Sequence, residues 1–126
     1  MKRLISGLTI FAVILILAVI GVFHLQNTTN QLQKSLSAIE TSVSAQQYSK
    51  ASEEFESAQT FWNRENKTLG IYMDHHLLDQ ITQEMARLGS CLRSQNQDEI
   101  HSQITLIQCQ VTQLYENEMP LLRNIL

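Results

Sequence analysis

The stretch DHHLLDQITQEMARLGSCL, residues 74–92, sets Leu78, Ile81, Met85, Leu88 and Leu92 at strict 3-4-3-4 spacing. That spacing puts one apolar stripe on one face of an α-helix and is incompatible with the alternation of a strand. Asp74 is placed to cap the helix, and Met73 before it to pack on Leu78 as a hydrophobic staple. The same spacing recurs on either side. Downstream, Ile100, Ile104, Ile107, Val111 and Leu114 form a fourth helix. Asn96 followed by Glu99 reads as a capping box at its start, and Pro120 is expected to end it. Upstream, Tyr48, Ala51, Phe55, Ala58, Trp62 and Leu69 form a second helix that stops at Gly70. Before that, Leu25, Leu32, Leu36, Ile39 and Val43 form a first, running to about Ala45.

Composition agrees. One Pro and four Gly in 126 residues leave few places to turn, which favours a few long helices over a many-stranded sheet. Polar positions 94–97 form a short connection, so helices three and four are antiparallel neighbours. The expected fold is all-α: an N-terminal membrane helix, then a small antiparallel bundle of about four helices, with Trp62, Phe55 and Phe61 as its largest pieces. Heptad spacing also permits a homo-oligomer, but Gly70 and the polar turns interrupt it, which favours packing within one chain.

Leu4 to Phe23 is a run of 20 residues without a charge. As a helix it spans about 30 Å, the thickness of a bilayer's hydrocarbon core. Lys2 and Arg3 precede it, and the next basic residue is Lys34. The positive-inside rule then leaves residues 1–3 in the cytoplasm and residues 24–126 outside the cell membrane. No Ala-x-Ala cleavage pattern stands around residues 18–24, so the segment reads as an uncleaved anchor. A signal passed inward would need another membrane protein.

Little here carries chemistry. The formal charge is −3, from 9 basic and 12 acidic residues, so nucleic acid is a poor partner. Gln occurs 14 times where charged residues usually stand, a solvated helix surface. His75, His76 and Asp79 are weak metal candidates: His75 and Asp79 share a helix face, but a zinc site needs a third ligand. His101 supplies one only if helix four brings it there. No cofactor is implied. Glu116 and Glu118 fall on different faces, which disfavours paired acid–base work. Cys91 and Cys109 are offset by about 12 Å along an antiparallel helix pair, beyond disulfide reach, and read as free thiols. Asn27-Thr28-Thr29 and Asn66-Lys67-Thr68 match the glycosylation pattern, which matters only in a eukaryotic secretory pathway. Leu121, Leu122, Ile125 and Leu126 form an apolar tail that must dock on the bundle, a partner or the membrane surface.

The order of these features resembles domain of unknown function 4363, a family of small N-terminally anchored proteins of Firmicutes. The residues that carry the resemblance are Met1-Lys2-Arg3 before the span, Tyr48-Ser49-Lys50-Ala51, Trp62, Asp74-His75 with Leu78-Asp79, Ala86-Arg87-Leu88, and the terminal Asn124-Ile125-Leu126. His76 and the Gln-rich faces depart from it. The resemblance implies a bacterial source and a membrane-anchored helical architecture, with no assigned activity. The resulting expectation is a non-enzymatic, extracytoplasmic protein-interaction module whose partners are the bilayer, through residues 4–23, and another membrane protein. The alternative is a small-ligand or metal sensor acting through a membrane partner.

Overall fold

The computed structural model of the chain describes residues 1–71 and 73–125, with the backbone alone from 119 onward. Four helices follow one another: α1 (Lys2–Ser44), α2 (Tyr48–Leu69), α3 (His75–Ser94) and α4 (Gln97–Ile125). Helix α1 packs on α2 and α4, and α3 packs on the same two. Among the described residues α1 and α3 never meet, nor do α2 and α4. With three short connections this is an up-down-up-down bundle.

The buried stripes follow the sequence spacing. On α1 they are Ala18, Gly21, Leu25, Thr28, Leu32, Leu36, Ile39 and Val43, and on α3 Leu78, Ile81, Met85, Leu88 and Leu92. Trp62 is the largest fully buried side chain. Its indole Nε1–H donates to Thr82 Oγ1 at 2.9 Å, so its polar edge is satisfied inside the core. Phe61 is only half-buried, with the Arg64 guanidinium 5.7 Å from its ring centre. Phe55 lies against Gly89, where an added Cβ would come within 2.9 Å of the ring. A mid-helix glycine therefore stands there to admit a phenyl ring.

The helix ends repay inspection. Asp74 caps α3 as expected, accepting from the His76 N–H at 2.9 Å. The Asn96 box forms on one side only. Asn96 Oδ1 accepts from the Glu99 N–H at 3.3 Å, while the Glu99 carboxylate accepts from the Cys91 thiol instead. Helix α2 does end at Gly70, but with φ −63°, not in the left-handed form. Glycine serves there by size: a Cβ would meet His75 Cε1 at 3.0 Å. The left-handed turns fall to glutamines, Gln46 (φ 59°) and Gln95 (φ 56°). Helix α4 does not end at Pro120; it continues to Ile125. Proline removes one backbone donor and crowds the carbonyl four residues back, which weakens a helix without stopping it when turns continue on both sides.

Helix α1 is 43 residues long, about 65 Å, with no break between its apolar and polar halves. From Leu4 to Leu17 every large apolar side chain except Leu15 is exposed. This helix is long and apolar enough to cross a membrane. Packing begins at Ala18, inside the apolar run.

Candidate functional site

Antiparallel packing sets polar contacts at both ends of the bundle, with others between them such as Gln103 donating to Glu84. At the distal end, Gln97 donates to the Val43 carbonyl at 3.0 Å, and His101 Nδ1 lies 2.8 Å from Glu40 Oε1. The Tyr48 hydroxyl donates to the Gln95 carbonyl and so ties the two glutamine turns together. Each of these contacts joins different helices, which makes them ties of the fold rather than a cleft.

The proximal end, where α1 leaves its apolar run, is different. His24 Nε2 lies 2.6 Å from Glu65 Oε2, and the neighbouring Arg64 reaches the other carboxylate oxygen. Burial raises the Glu65 carboxyl, but the hydrogen bonds and charges of His24 and Arg64 outweigh it and hold the group below its ordinary value. Glu118 is buried in the same region, on the stripe that Val111 and Leu114 define. Burial pushes its carboxyl up, the Asp74 backbone N–H opposes the shift, and the Asp74 carboxylate adds to it. Thr28 Oγ1 is buried on α1 without a partner among the described residues.

The metal constellation does not assemble. His75, His76 and Asp79 are all exposed at the start of α3. His75 rests against Gly70, and His76 Nε2 lies 3.4 Å from Gln80. His101 lies four residues into α4 and is held against Glu40 of α1, roughly 15–20 Å along the bundle axis from His75. Among the described residues no three ligating side chains converge. Cys91 is buried and Cys109 exposed, and neither forms a disulfide. Lys2 and Arg3 lie in the exposed first turn of α1. The side chains of Leu121, Leu122 and Ile125, and Leu126 entirely, lie outside the described residues.

Sequence reasoning weighed Glu118 only as a partner for Glu116 and missed its place in the core. Its signal was legible: 100, 104, 107, 111, 114 and 118 continue one 3–4 spacing, and a glutamate holds the last place. Gly89 was missed too, because nothing local to it announces the ring of Phe55. The surface grooves are shallow; one between α1 and α4 is lined by Thr29, Asn30, Gln33, Val111, Thr112 and Tyr115.

The family model described as "Domain of unknown function (DUF4363)" matches residues 19–125. The chain belongs to this family. The match begins at Val19, next to Ala18 where helix packing starts, so the family's unit is the whole bundle together with the last turns of the apolar run. No curated protein and no solved structure matches the chain.

Proposed function

We propose that this DUF4363 protein is a single-pass, membrane-anchored helical module that binds another protein at the outer face of a bacterial cell membrane, without catalytic activity of its own. Lys2 and Arg3 keep the N-terminus in the cytoplasm by the positive-inside rule, and the bundle lies outside. The observation that carries the reading is α1 itself. One unbroken helix is bare and apolar at its start and is a core element of the bundle from Ala18 onward. The bundle is therefore held at a fixed height relative to the lipid, which suits a module that meets a partner in the same membrane.

The binding surface in this reading is the end of α4 with the tail residues Leu121, Leu122, Ile125 and Leu126. In-membrane crosslinking with mass spectrometry tests it. Crosslinks to one membrane protein are expected, and deleting residues 121–126 should abolish them while the bundle melts at an unchanged temperature. A lowered melting temperature would make the tail part of the chain's own core and remove the partner surface.

Glu118, a carboxylate set into a core stripe, favours a second reading, an extracytoplasmic small-ligand or metal sensor. Titration with divalent cations separates the two: a cation that raises the melting temperature, and no longer does so in Glu118→Gln, would favour the sensor.

A further inference from the structure

Beyond the apolar run, from residue 24 onward, the most exposed large apolar side chain among the described residues is Ile71, at 82%. It stands in the α2–α3 turn, within Leu69-Gly70-Ile71-Tyr72-Met73, five residues without a charge in an otherwise polar region. Leu69 and Met73 turn into the core, and Ile71 between them is presented outward. Its height explains it. The 2.6 Å contact between His24 and Glu65 fixes the antiparallel register of α1 and α2. Four residues further along α2, about 6 Å, Leu69 stands level with Ile20, inside the apolar run. The turn that carries Ile71 follows it. The burial of Ala18, with Leu15 half-buried before it, shows that the bundle reaches this depth.

We infer that the α2–α3 turn is a second membrane contact, with Ile71 inserted at the headgroup–acyl boundary beside α1. The occupant of this surface is lipid, because the turn is continuous with the segment that spans the bilayer; the inference rests on that anchor reading. The turn fixes the tilt and rotation of the bundle on the membrane, which a single helix does not do. Lys67, exposed and two residues before Leu69, is placed to reach the phosphates as interfacial lysines do.

Spin labels on the full chain in vesicles of phosphatidylcholine and phosphatidylglycerol test this. Ile71→Cys, Ile14→Cys and Thr60→Cys are each made in a Cys109→Ser background. Cys91 stays in place, since burial and the Glu99 carboxylate push its thiol up and keep it unreactive. The labels are then scored by collision with oxygen, which concentrates in lipid, and with a water-soluble nickel chelate. Position 71 should fall between positions 60 and 14, with an oxygen-to-nickel ratio several-fold above that of position 60. A ratio at 71 equal to that at 60, with 14 still in lipid, would overturn the insertion and leave the anchor standing. Shielding of 71 from both quenchers would mean a protein contact and would also overturn it. An aqueous value at 14 would overturn the anchor and the insertion together.

Discussion

Ile14 and Leu36 lie on one unbroken helix, yet Ile14 is 46% exposed and Leu36 fully buried. The two halves of α1 are apolar for different reasons. Up to Leu17 the helix is apolar on every side and almost bare, the pattern of a segment long and apolar enough to cross a membrane. The second half is apolar on one stripe, which α2 and α4 complete. What separates them is the arrangement of apolar residues around the helix: only a stripe predicts a protein neighbour.

Truncations should break the two halves unequally. Trp62→Ala removes the largest buried side chain and should destabilise the bundle by about 3–5 kcal/mol, read as a sharp fall in melting temperature of the detergent-solubilised chain. An unchanged melt would place Trp62 outside the core. Leu36→Ala should cost about 2–5 kcal/mol in the same assay, while Ile14→Ala leaves the melt in place, because it empties no cavity. Equal losses at the two positions would erase the distinction between the halves.

Glu118 sharpens the comparison at the junction. Its carboxyl titrates higher folded than unfolded, so folding disfavours the charged form. Stability on this account is full when the group is protonated and falls as pH rises through the carboxylate range. Glu118→Gln should therefore melt above the parent at neutral pH, and the gap should close on acidification. Glu65 works in the opposite sense: its lowered value stabilises the fold at neutral pH, and that contribution is lost as pH falls. The smallest effect belongs to the distal turns. Gln95→Gly relieves a left-handed residue and should raise stability by up to about 1 kcal/mol.

The sequence reached far into this fold. Helix number, the buried stripes, the Asp74 cap and the burial of Trp62 follow from periodicity and local capping rules, which act over one or two turns. It fell short where distant residues meet. Gly70 was expected to stop α2 through backbone freedom, but its φ is an ordinary helical one, and the close neighbour is the His75 ring across the turn. Pro120 was expected to end α4, yet the helix continues past it. The candidate site was the least legible part. His75, His76 and Asp79 share a local face, and only the bundle's register decides that His101 lies well away from them. Glu118 needed the stripe to be followed one step past its last leucine.

The central claim is that α1 crosses the membrane and carries the bundle on its outer side. Protease added to intact spheroplasts that produce the chain tests it directly, with an immunoblot against the bundle as the readout. The account predicts that the bundle is degraded in intact spheroplasts. Survival of the bundle until the membrane is opened with detergent, followed by its digestion, would contradict the orientation and the outer-face partner with it.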